Sequence, residues 1–213
     1  MQVNRRSGVG GGRHGGGRQE RRRALLNPFR RRRDLARPAG ELYAAIVTQA
    51  RAPVFFADLG VPDSVLGRFE MVALHAFLVF RRLRDVGPEG RALAQATHDI
   101  MFAEIDVGLR ELGIGDMGIG RRVKSLASNL YGRIAVYDAG LDSNEASLAD
   151  ALARNIYATA AAPRPDQVVT LAAYMVREAT ALAAQSDADL LAGTVRFGAA
   201  PQAMDVQVPE SAR

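Results

Sequence analysis

Residues 109–137 read LRELGIGDMGIGRRVKSLASNLYGRIAVY, and the fold turns on how this stretch is parsed. Leu109 and Leu112 continue an apolar helical spacing begun by Ile105, with Arg110 and Glu111 between them. Gly113 stands where a left-handed residue closes a helix, and Gly115, Gly118 and Gly120 leave the backbone free to turn. From Gly120 to about Ala139 a second helix is expected, with Val123, Leu126, Leu130, Ile134 and Tyr137 on one face and Gly140 as its stop. The stretch therefore reads as a helix, a glycine hinge and a basic-headed amphipathic helix.

Gly113, Gly115 and Gly118 also spell GxGxxG. That fingerprint binds a dinucleotide only when a buried strand leads into the glycines and an acidic residue comes later to meet the ribose. Here a helix leads in and no second strand is seen, so the string is read as a hinge.

Working outward, helical spacing continues almost without a break. Pro38 to Ala50 carries Leu42, Ala45, Ile46 and Gln49 on one face, and Pro53 ends it before Val54, Phe55 and Phe56. Asp63 or Ser64 caps a helix to about Val86 whose middle, Met71 to Phe80, is apolar on nearly every side apart from His75, which marks a buried central helix. That run is far shorter than the ~20 residues that cross a bilayer. Gly87-Pro88 opens the helix that enters the hinge. Asp142 or Ser143 caps a fifth helix to about Thr159, a sixth runs from Asp166 to Gln185, and Val195, Phe197 and the residues up to Arg213 read as a frayed tail. The expectation is an all-α, single-domain bundle of about six helices over 38–190, with a disordered basic segment at 1–37 and a frayed one at 191–213.

The 213 residues are 48% hydrophobic, enough for one core, and contain no cysteine, which excludes disulfides, thiol nucleophiles and Cys-bearing zinc or iron–sulfur sites. The formal charge of +5 is unevenly spread. Residues 1–37 hold twelve arginines against Glu20 and Asp34, a net of +10, which leaves −5 on the remainder. Arg5-Arg6 is not followed by the apolar segment of an export signal, and the glycine runs oppose an amphipathic presequence. The first two dozen residues read equally as a leader of little consequence. Arg30, Arg31, Arg32 and Arg33 come after Leu25, Leu26 and Phe29, a pattern that suits an anionic membrane surface, ribosomal RNA phosphates or a solvated basic linker.

Catalytic apparatus is hard to assemble. His98, Asp99, Glu104 and Asp106 form the one metal-like cluster, but His98 and Asp106 fall on different helix faces and no histidine at i+4 completes a chelate. His75 reads as a packed core histidine, and Ser125 and Ser128 have no base nearby. The reading is a protein that is not an enzyme, with no metal, cofactor or small-molecule substrate. Arg121, Arg122 and Lys124 stand in the expected first turn of the hinge helix, where the dipole disfavours cations; they are candidates either to receive acidic partners or to pair with Asp116, Glu111 or Asp106.

Glu104, Asp106, the LRELGIGD run from Leu109 to Asp116, the GRRVK run from Gly120 to Lys124, and Tyr131-Gly132-Arg133 followed by Tyr137 resemble the signature of the ubiquinol-cytochrome c chaperone family, the bacterial relatives of mitochondrial assembly factors for cytochrome b. The similarity spans about Leu42 to Ala184. Its motif positions here are Leu109, Leu112, Gly113, Gly115, Asp116, Gly120, Arg122, Val123, Lys124, Tyr131, Gly132, Arg133 and Tyr137. The resemblance implies a non-catalytic chaperone that binds apo or nascent cytochrome b during biogenesis of the cytochrome bc1 complex. It further implies contact with the ribosome and a small partner protein, and a cytoplasmic location peripheral to the inner membrane. Phe55, Phe56, Arg121, Arg122 and Lys124 are the expected client contacts, and Arg30 to Arg33 the expected anchor on an anionic surface. A rival expectation, from charge alone, is a nucleic-acid- or ribosome-associated helical protein that grips through its arginine tail.

Overall fold

A stretch apolar on every side can satisfy itself only by burying two opposite faces, and the third helix does this. The computed structural model describes residues 28–111, 116–143, 145–158 and 163–201, with backbone alone at 28–32, 116–120, 122–124, 126, 127, 129 and 145. Helices α1 (Pro28–Ala50), α2 (Pro53–Ala57), α3 (Val65–Asp85), α4 (Pro88–Glu111), α5 (Asp116–Ser143), α6 (Glu145–Ile156), α7 (Pro165–Ala183) and α8 (Asp187–Leu191) follow in order, with no strand among the described residues. Six are long, as expected; α2 and α8 are single turns.

One face of α3, with Met71, Leu74, Phe77 and Leu78, packs on α6 and α7 through Leu148, Leu152, Leu171 and Met175. The other, with Ala73, Ala76, Val79 and Leu83, packs on α1 and α4 through Leu42, Ile46, Leu93 and Met101. Each fully buried leucine or methionine contributes about 1.5–3 kcal/mol, so this helix holds the molecule together. Ser64 is the cap that forms, its hydroxyl accepting from Gly67 N at 3.1 Å; Asp63 instead pairs with Arg68.

Four boundaries differ from expectation, each for a local reason. Helix α1 begins at Pro28 and runs through Pro38, so residues 28–37 are helical. Pro38 lacks an N–H, but the acceptor it leaves is on Asp34, an exposed residue, and its own ring is buried. Helix α5 starts at Asp116, ahead of Gly120, so Arg121 and Arg122 stand in its second turn with Lys124 just beyond it, and an acidic residue occupies the first, as the dipole prefers. Gly140 lies inside α5; a Cβ there would stand 3.0 Å from Leu148 Cα, so this glycine permits close packing. Residues 192–201 are a strap laid across the bundle. Val195 and Phe197 pack on both halves of the core, Gln185 holds both the N–H and the carbonyl of Arg196, and Gly198 N donates to Glu178 Oε2 at 2.8 Å. The strap has no helical period because its polar groups are met by side chains from elsewhere. It leaves α8 through Gly193, at φ +92°, with a Cβ there only 2.6 Å from Pro38 Cα.

Candidate functional site

The expected motif residues that are described divide between the interior and the surface of α4 and α5. Leu109 is buried at the end of α4, and Tyr137 is buried edge-on to Phe77 with ring centroids 5.7 Å apart. Arg133 reaches from α5 to α3 and donates from Nη2 to Glu70 Oε1 at 2.5 Å; Glu70 is 1% exposed. Glu70 Oε2 and Arg133 Nε have no hydrogen-bond partner among the described residues. Burial pushes the Glu70 carboxyl up to about 7, with the Arg133 guanidinium pulling it partly back. Sequence reasoning does not single out Glu70. Its signal is a lone carboxylate opening the most apolar run of the chain.

A second tie fixes the far end of α5. Asp138 accepts from Arg81 and, at 2.6 Å, from Arg84, while Arg81 Nη2 also donates to Asp142 at 2.6 Å. Burial alone would raise the Asp138 carboxyl, but the two guanidiniums outweigh it and hold it below the usual carboxylate range.

His75 is fully buried, as the pattern predicts, at the centre of a polar hub. Its Nδ1 faces Met71 O at 2.7 Å, which can only accept, so Nδ1 carries the proton and Nε2 accepts from Tyr174 O–H at 2.8 Å. Gln49 Nε2 donates to the same Tyr174 oxygen at 2.9 Å. Burial lowers the imidazole pKa to about 4. Phe55 stacks edge-on against His75 and Tyr174 at 5.4 and 5.3 Å and is 0% exposed. Phe55 is therefore core, correcting its expected role as a client contact, and Phe56 is half-buried against the same cluster.

Glu70 and His75 set opposing pH dependences. Glu70 binds its proton more tightly folded than unfolded, so between about 4.5 and 7 stability falls as pH rises. His75 binds its proton less tightly folded, so between about 4 and 6.5 stability rises with pH. Glu70→Gln removes the first effect alone. The variant is expected to gain about 3 kcal/mol on the wild type between pH 4.5 and pH 7.5 in paired urea titrations. Parallel profiles for the two proteins would refute the assignment.

The remaining predicted positions are scattered. Arg121 is exposed on α5, Tyr131 is 58% exposed, and Gly132 lies on the same open side. Arg33 is exposed at the start of α1. Leu112, Gly113 and Gly115 lie outside the described residues, as do the side chains of Arg30, Arg31, Arg32, Arg122, Val123 and Lys124, while Asp116 and Gly120 are placed only as backbone of α5. The metal-like cluster is engaged elsewhere. His98 stacks on Phe102 at 4.6 Å, Asp99 accepts from Gln95, and Asp106 accepts from Arg110. No group of three metal-ligating side chains occurs among the described residues.

Among the grooves formed by the described residues, two involve residues of α4 that the sequence singles out. The first, of about 210 Å³, lies where α1, α3 and α4 meet and is lined by Tyr43, Val47, Val65, Phe69, Ile105 and Leu109, together with Arg51, Arg68 and Glu104. Val65 in its wall is 58% exposed and neighbouring Leu66 is 36% exposed. The second, of about 280 Å³, lies between α3, α4 and α5, with Phe80, Ile134, Tyr131 and three arginines in its walls. Among the described residues no helix is long and apolar enough to cross a membrane.

These features define an all-α domain whose internal charges serve structural pairs and whose described surface carries side-chain-lined grooves beside α4. Residues 57–197 match the ubiquinol-cytochrome C chaperone family, and the chain belongs to it. It is 24% identical over 157 residues to ubiquinol-cytochrome c reductase complex assembly factor 1 of Mus musculus, covering 73% of this chain and 53% of that protein. With Protein CBP3, mitochondrial, of Saccharomyces cerevisiae it shares 26% identity over 149 residues, covering 68% of this chain and 44% of that one. This chain thus spans about half the length of these relatives. The crystal structure of the Cbp3 homolog from Brucella abortus superposes with a TM-score of 0.68 at 39% identity, covering 82% of this chain and 97% of that one.

Proposed function

We propose that this chain is an assembly factor for the ubiquinol-cytochrome c reductase complex, acting as a non-catalytic chaperone that holds newly made cytochrome b. The observation that carries the reading is the groove at the end of α4. Leu109, an expected motif position, lines it together with Val65, which is 58% exposed. A groove lined mostly by apolar side chains suits an apolar helix of a membrane protein awaiting its partners. The arginines at the start of α1 then hold the complex near an anionic membrane surface or the ribosome, and a small partner protein shares the task.

The test is recovery of cytochrome b from the native membrane-bearing cell by three forms: the full chain, a chain beginning at Pro28 that keeps every described residue, and the full chain carrying Val65→Asp. The shortened chain is expected to keep cytochrome b, and Val65→Asp to lose it about 10-fold or more while staying folded. Recovery of nucleic acid alone, by the full chain alone and lost on raising salt, would overturn the reading in favour of the arginine-tail alternative.

A further inference from the structure

Among the motif side chains of α4 and α5, Tyr131 is left unexplained by the core. It stands 58% exposed on α5 over the second groove, its ring 5.9 Å from that of His98. Beneath it Phe80 and Ile134 form a half-buried apolar floor. Arg81, Arg84 and Arg91 face the same space against one lining carboxylate, Asp138.

The charges do not balance within the groove. Asp138 takes one guanidinium on each of its oxygens, and Asp142 takes the second nitrogen of Arg81. Arg84 keeps half its side chain exposed, its one other carboxylate being Asp85 at 4.0 Å, and Arg91 is exposed with no ion pair among the described residues. Exposed tyrosine and arginine around an apolar floor are the residue types that dominate protein interfaces. A flat anionic bilayer would meet the arginines and leave the floor uncovered, whereas a helix can cover the floor and reach the arginines from its edge.

We propose that this groove docks an acidic amphipathic helix of a partner protein, with apolar side chains on Tyr131, Ile134 and Phe80 and a carboxylate on Arg91 and Arg84. The groove is separate from the one assigned to cytochrome b, so either proposal can fail alone.

The probe is a fluorescently labelled amphipathic helical peptide with glutamates along one edge of its apolar face, titrated into the full chain at physiological salt. Saturable binding is expected, weakened about 10-fold or more by Arg91→Glu and by replacing the peptide's glutamates with glutamine, and about 5-fold or more by Tyr131→Ala. Val65→Asp, in the other groove, should change it less than about 2-fold. Circular dichroism checks that each variant is folded, and the substituted sites are all exposed enough to tolerate change. No saturation, or saturation indifferent to Arg91→Glu, overturns the proposal. So does displacement of the peptide by phosphatidylglycerol vesicles or RNA that bind the wild type but not Arg91→Glu, since the groove would then be a phosphate site.

Discussion

Replacing Arg133 by methionine is expected to lower the unfolding free energy by about 3–5 kcal/mol at pH 8, because it strands the Glu70 carboxylate inside the bundle. Glu70 is 1% exposed and has Arg133 as its ion-pair partner. The loss should shrink as the medium is acidified. Without the guanidinium the Glu70 carboxyl rises beyond its present value of about 7, and the protonated acid is far cheaper to bury. Pairing the substitution with Glu70→Leu, which makes both positions apolar, should restore most of the stability or exceed it. Urea unfolding of the single and double variants at pH 5 and pH 8 checks both statements. A single variant that loses less than about 1 kcal/mol at pH 8 would mean the pair does not tie α5 to α3.

Phe55→Ala should have an effect of similar size, about 3–5 kcal/mol, while Phe56→Ala next to it should cost about 1 kcal/mol. The two residues are adjacent in α2, yet Phe55 is 0% exposed against His75 and Tyr174 and Phe56 is half-buried. Emptying the Phe55 site also admits water to His75. The imidazole pKa should then climb from about 4 back toward 6.5, a shift that proton NMR of the ring would follow directly. An unmoved His75 titration in a folded Phe55→Ala protein would show that this ring does not keep the imidazole dry.

The chain betrays its fold wherever helical period is the deciding force. The spacing through Leu42 and Ile46, the all-round apolarity of Met71 to Phe80, and the face carrying Leu130, Ile134 and Tyr137 are legible because burial writes them directly. Gly140 misleads, because glycine marks both helix ends and close helix crossings, and the sequence does not show that Leu148 lies opposite. Pro38 misleads in the same way. Its missing donor faces a turn already open to water, so the helix continues through it. The strap at 192–201 is invisible in the sequence, since its order comes from the side chains of Gln185 and Glu178, 11 and 20 positions before their partners, and of Gln49, 149 positions away, and none of these pairings leaves a periodic pattern. At the candidate site the motif positions form a recognisable run, but their division between an internal ion pair and an exposed tyrosine needs three dimensions. Glu70 is brought to Arg133 across 63 residues, and local pattern carries no sign of that.

The polar hub around His75 has a consequence for the order of events in synthesis. Gln49 meets Tyr174 across 125 positions and Gly198 across 149, and His75 meets Tyr174 across 99. A chain leaving the ribosome N-terminus first therefore has α1 and α3 in solution long before the partners of Gln49 and of the buried His75 have been made. Until Tyr174 emerges, His75 is an ordinary wet imidazole, and until Gly198 emerges, Gln49 has no carbonyl to close upon. The bundle is a lock whose last tumbler is also among the last parts cast, and nascent chains arrested before Tyr174 should remain open to protease along their whole first half.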